Sequence, residues 1–193
     1  HALKLYLLWY DTDLDFIFLN GSDQPESYGF DFSKNLAENF EIHGEAALRR
    51  GARRPVLDEA GRRTVSEENQ FSWLLGIRYL TARDVTFILE YYKNGAGYSR
   101  DELDDFFKYQ HQSYQSWLST GDAATVERAE SLTKPYYSQR NFARDYLYLK
   151  MSIKEPLDVL YFNPWLAVVL NLRDKSFNVQ PGMSYIPFTN LEV

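Results

Sequence analysis

The stretch QFSWLLGIRYLTARDVTFILEYYKNGAG, residues 70–97, decides the fold. Phe71, Trp73, Leu75, Ile77 and Tyr79 alternate with Ser72, Leu74, Gly76 and Arg78. After the polar Thr81-Ala82-Arg83-Asp84, Val85, Phe87, Leu89 and Tyr91 alternate with Thr86, Ile88, Glu90 and Tyr92. A strand sends successive side chains to opposite faces. Each run therefore has one wholly apolar face and one mixed face, which predicts a β-hairpin with a tight turn. Strands of ~10 residues, apolar on one side and edged by aromatics, suit the lipid-facing wall of a membrane barrel.

The same alternation extends outward. It predicts strands over 3–10, 14–20, 28–33, 40–49, 142–153 and 177–185, and an almost uniformly apolar one over 165–172 whose faces do not separate. Residues 50–69, with arginines at 50, 53, 54, 62 and 63, read as a polar loop. Residues 94–140 break the period. Ser99-Arg100-Asp101-Glu102 has the spacing of a capping box, and Leu103, Phe106, Phe107, Tyr114, Trp117 and Leu118 then recur as a helical stripe. Asp122 opens a second helix to Leu132, closed by Pro135. The expected architecture is all-β: an antiparallel up-and-down transmembrane β-barrel over 1–193, or a large fragment of one, with a helical loop insert over 99–132. The connections alternate short and long, as in a barrel inserted from one side. About nine strands, an odd number, and the closing Asn190-Leu191-Glu192-Val193 without a terminal aromatic point to part of a larger barrel or to a strand miscounted by one.

Composition narrows the classes. The 193 residues carry no Cys, which removes disulfides, thiol nucleophiles and cysteine metal sites. A net charge of -6 leaves no basic face for nucleic acid. Tyr (15), Phe (13) and Trp (4) are abundant, and Tyr and Trp favour membrane interfaces. No apolar run approaches the ~18 residues of a membrane helix. A mean hydropathy of -0.46 is compatible with barrel strands, which turn only half their residues to lipid.

Residues 39–49 (NFEIHGEAALR) and 74–99 (LLGIRYLTARDVTFILEYYKNGAGYS), with the closing segment 163–193, resemble porin-like outer-membrane β-barrel proteins of Gram-negative bacteria, near the alginate-export type. The resemblance implies a closed barrel in the outer membrane that passes solutes. Its partners would be outer-membrane lipid and a small hydrophilic solute, with no nucleic acid and with homo-oligomers left open.

Alternation assigns candidate pore-lining residues: Lys4, Asp31, Glu41, His43, Glu45, Arg78, Glu90 and Lys150. Charges lining water set selectivity in channels, although the same set also suits the wet side of any antiparallel sheet. Their mixed signs argue against a strongly ion-selective filter, and a Glu45–Arg78 pair would brace the wall. Phe71, Trp73, Leu75, Ile77, Phe87 and Leu89 are assigned to lipid. Leu103, Phe106, Phe107 and Trp117 form the loop stripe, expected to pack on the barrel mouth or lumen wall as a cap or a constriction. Glu41, His43 and Glu45 read as a polar wall, because same-face neighbours stand ~7 Å apart and one metal cannot bridge all three. No serine carries a hydrolase motif, so neither an enzyme nor a cofactor or metal is expected. The alternatives to a channel are a non-transporting barrel that serves surface binding or assembly, and a soluble ligand-binding β-barrel.

Overall fold

The computed structural model describes residues 1–22, 24–137 and 141–186. They form one nine-stranded antiparallel sheet in which every strand pairs with its sequence neighbours. The strands are β1 (Ala2–Trp9), β2 (Thr12–Gly21), β3 (Gln24–Ala37), β4 (Phe40–Leu57), β5 (Arg63–Leu80), β6 (Val85–Lys93), β7 (Asp145–Ile153), β8 (Phe162–Asn171) and β9 (Phe177–Tyr185). Two helices, α1 (Arg100–Thr120) and α2 (Ala123–Tyr137), fill the β6–β7 connection. No described helix is long and apolar enough to cross a membrane. The sheet is open: β1 and β9 do not pair with each other. The closing residues 187–193, where the sequence lacks a terminal aromatic, lie outside the described residues.

Register sorts the side chains into two faces. One row runs Leu7, Leu14, Phe32, Gly44, Leu75, Tyr91, Leu147, Leu170 and Phe177 across all nine strands. A parallel row joins Ile42, Ile77, Leu89, Leu149, Val168 and Val179. Several of these apolar side chains meet solvent: Leu7 is 44% exposed, Leu75 52% and Phe177 69%. The row is also oblique. It starts at Leu7, near the C-terminal end of β1, and finishes at Phe177, the first residue of β9. β1 and β9 point the same way in a nine-strand meander, so the row climbs from one end of the sheet to the other. Strand tilt with such a stagger is what a cylinder wall requires.

The connections differ between the two ends. At one end the chain turns within Tyr10-Asp11, Glu38-Asn39, Thr81–Asp84 and 154–161. At the other end lie the extended β4–β5 tip, both helices and the 172–176 turn. The sequence expectation of a polar loop over 50–69 is corrected here. β4 runs to Leu57 and β5 starts at Arg63, leaving only 58–62 as a turn. Apolar alternation fails in this arm because ion pairs hold it: Arg53 Nε meets Glu67 at 2.8 Å and Arg54 Nε meets Glu68 at 2.8 Å. The helical insert also runs beyond its expected limit, since α2 continues past Pro135 to Tyr137.

The core sits where the insert meets the sheet. Leu57, Tyr98, Leu103, Phe106, Ala143 and Tyr146 are buried together, with Tyr92, Leu132 and Val169 against them. Tyr92 and Tyr146 share the Leu74 row, and Val169 shares the Glu90 row, so the insert covers the polar face of the sheet and leaves the apolar face bare. Ser99 caps α1: its Oγ accepts from the Glu102 N–H, while its own N–H donates to Glu102 at 2.6 Å. Gly97 has a spatial reason to be glycine, because a Cβ there would stand 2.2 Å from the Ala143 carbonyl oxygen. The stripe is split, a correction to the expected single packing face. Leu103 and Phe106 are buried, whereas Phe107 and Trp117 are exposed, with Phe107 edge-on to Phe106 and Trp117 against Tyr114.

Candidate functional site: the polar face

All eight charged residues assigned by alternation share one face. Asp31 and Glu45 are register partners, and Asp15 extends their row into β2. His43 and Glu90 both pair with Gly76, on either side of β5. Glu41 pairs with Arg78, Arg78 with Ile88, and Ile88 with Lys150. Lys4 lies one position from the Asp15 row and holds Asp15 at 3.0 Å. The six residues assigned to lipid all lie on the opposite face, and of these only Trp73 is less than about a third exposed.

The centre of the polar face is a histidine between two carboxylates. His43 Nε2 approaches Glu90 Oε1 at 3.2 Å and Nδ1 approaches Glu41 Oε1 at 3.5 Å. Gly76 makes this possible. A Cβ at that position would fall 2.2 Å from His43 Nε2, so only glycine lets the ring cross β5 to Glu90. Glu41 also faces Arg78 Nη1 at 3.8 Å. The expected Glu45–Arg78 brace is therefore replaced by Glu41–Arg78, because the register sets Glu45 opposite Leu74. At the β7–β8 end, Lys150 Nζ lies 5.3 Å from the Trp165 ring centre, a cation–π distance. These side chains are partly sheltered, at 20–24% exposure for His43, Glu41 and Glu90, although they are polar and the opposing leucines are bare.

Two arginines fasten the insert over one end of this face. Arg54, 5% exposed, bonds Glu68 and reaches Glu102 Oε1 at 2.7 Å through Nη2, while its guanidinium lies 5.0 Å from the Tyr98 ring centre. Burial pushes the Glu102 carboxyl up, but hydrogen bonds from Arg54 and from the Ser99 N–H outweigh it and hold the group below the usual carboxylate range. Arg173, from the β8–β9 turn, donates to the Ser99 and Arg100 carbonyls and to Asp104 Oδ1 at 2.7 Å. Sequence reasoning missed both anchors. Arg54 looked like one of several loop arginines, and Arg173 has no signal in its spacing. It also missed Asp15, which the alternation of β2 against β1 places with Lys4.

Among the described residues no group of three or more His, Asp or Glu is placed to hold a metal ion. Comparison of the chain with protein-family models, curated proteins and solved structures finds no match.

Proposed function

We propose that this sheet is the wall of an outer-membrane β-barrel of the porin-like kind, with lipid against its apolar face and a water-filled path for small hydrophilic solutes along its polar face. The observation that carries the reading is the inversion of exposure: leucines and phenylalanines are bare in every strand but β4, while Glu41, His43 and Glu90 are sheltered. Monomeric soluble proteins rarely expose apolar patches above a few hundred Å², and a lipid bilayer covers such a face without any partner chain. Aromatics gather at the short-turn end, where Trp9, Tyr10, Phe40, Tyr79 and Tyr185 sit close to strand ends. That is where an interfacial girdle belongs.

Closure takes one of two forms. β1 and β9 run in the same direction, so direct closure would pair them in parallel, whereas antiparallel closure takes an odd number of added strands. In either form the insert lies on the inner side, over Tyr92, Tyr146 and Val169, and narrows the path at the end with the longer connections. The experiment is single-channel recording in planar bilayers. Discrete conductance steps from the refolded protein support the channel. A barrel that inserts and stays closed to ions under all voltages assigns the chain to the non-transporting class. A monodisperse protein that needs no detergent removes the membrane reading altogether.

A further inference from the structure

We propose that the polar face carries a binding site for a small zwitterion, a molecule with one primary ammonium and one carboxylate separated by a few bonds, such as an amino acid. A cavity of about 420 Å³ opens over β3, β4 and β5 beside the root of the insert. Its floor is a register row of small side chains, Gly29, Ala47 and Ser72. One wall is the acidic row of Asp31 and Glu45. The other wall is the next-but-one row, where Arg49 pairs with Gln70.

The charges on these walls are unused. Asp31, Glu45 and Arg49 form no salt bridge and no side-chain hydrogen bond among the described residues, in contrast to Asp15, Glu41 and Glu90 on the same face. Gln70 is only 4% exposed and lines the cavity. Ser72 Oγ accepts the Gly95 N–H at 2.9 Å, which leaves its own proton free to donate. Asn94, by contrast, is saturated: it donates to the Asn141 and Ala143 carbonyls and accepts from Ala96, so it belongs to the wall alone.

The two kinds of charge are set apart. Glu45 and Arg49 lie four residues apart on one strand, ~13 Å along the backbone. Flexible side chains can lean inward from that spacing onto a ligand that sits above Ala47. The acid row then takes the ammonium, and Arg49, with the Gln70 amide and the Ser72 hydroxyl, takes the carboxylate. Arginine suits that role because its planar fork matches a carboxylate. A simple cation would leave Arg49 and Gln70 unmatched, and a simple anion would meet Asp31 and Glu45 without compensation.

As the solute class of the channel, this inference rests on the porin-like reading; as a binding site it does not. The test is calorimetric titration of the full chain in detergent micelles with γ-aminobutyrate, putrescine and butyrate, which share a four-carbon chain. γ-Aminobutyrate should bind at least about tenfold more tightly than either of the others, the worth of one charge-assisted hydrogen bond. Arg49→Gln should bring it down to the putrescine level, and Asp31→Asn with Glu45→Gln to the butyrate level. Ala47→Phe fills the floor without touching a charge and should abolish binding, so the site is tested even if a charge variant fails to fold. Equal affinity for all three probes, no binding of any, or binding unchanged in Ala47→Phe overturns the proposal. Conductance is recorded separately: steps without binding refute the zwitterion site alone, and binding without steps refutes the channel alone.

Discussion

Leu75→Arg is the substitution whose sign separates a lipid-facing wall from a sheet that stands in water. Leu75 lies on the central strand midway between Phe71 and Tyr79, all three on the apolar face. Eight residues at ~3.3 Å give ~27 Å along the strand, or ~20 Å of height at a tilt of ~40°. Leu75 is then ~10 Å from either aromatic rim and close to the midplane of an apolar band ~25 Å tall. Arg at the midplane of a barrel wall costs about 2–4 kcal/mol. The same substitution at a site 52% exposed to water should stay within about 0.5 kcal/mol. The control is Leu74→Arg, one residue away on the polar face and opposite Glu45, which should cost less than ~1 kcal/mol because the new charge meets water and a carboxylate. Reversible urea unfolding from phospholipid vesicles, followed by tryptophan fluorescence, measures both. A Leu75→Arg effect below ~0.5 kcal/mol, or a larger cost at Leu74, refutes the face assignment.

Three further outcomes concern the insert. Arg54→Met strands Glu68 and Glu102 and should loosen α1 by about 2 kcal/mol, less than the ~3–5 kcal/mol of a fully buried pair because both carboxylates touch water. Hydrogen exchange confined to the insert reads it, and unchanged protection in α1 would contradict it. Acidification should release the same contact. A carboxyl whose folded value is depressed stabilises the docked state fully above its ordinary value of 4.5 and loses that contribution as pH falls through the lower folded value. Limited proteolysis of the insert should therefore accelerate below about pH 4.5, and Arg54→Met should remove the pH dependence. Replacing 100–137 by a short Gly-Ser linker should raise single-channel conductance with the barrel still folded; an unchanged conductance makes the insert a surface cap.

Much of this molecule was legible because its apolar face is nearly free of exceptions. In β1, in 14–18 of β2, 71–79 of β5, 85–91 of β6 and 147–153 of β7 every second residue is apolar, so a period of two fixes strand, face and partner set together. The Trp165 to Leu172 run was apolar on both sides, and only register separates Leu166, Val168 and Leu170 from Trp165, which meets Lys150. The β4–β5 arm was misread for a different reason. Its strands are joined by Arg–Glu pairs across the ladder, and a charge pair between strands looks like a loop when each strand is read alone. Helical spacing put Phe107 and Trp117 with Leu103 and Phe106, but the stripe is wider than the surface available to it. The His43–Glu90 contact lies beyond any single-strand pattern, because it depends on Gly76 in the strand between them.

Site-directed spin labelling in lipid vesicles distinguishes a lipid-facing β5 from a strand in water. Labels placed one at a time from Phe71 to Tyr79 report their exposure to oxygen, which concentrates in lipid, and to a water-soluble nickel chelate. A membrane wall gives a period of two: Phe71, Trp73, Leu75, Ile77 and Tyr79 reached by oxygen, and Ser72, Leu74, Gly76 and Arg78 reached by the chelate or by neither. Equal chelate access at every position, or the opposite alternation, contradicts it.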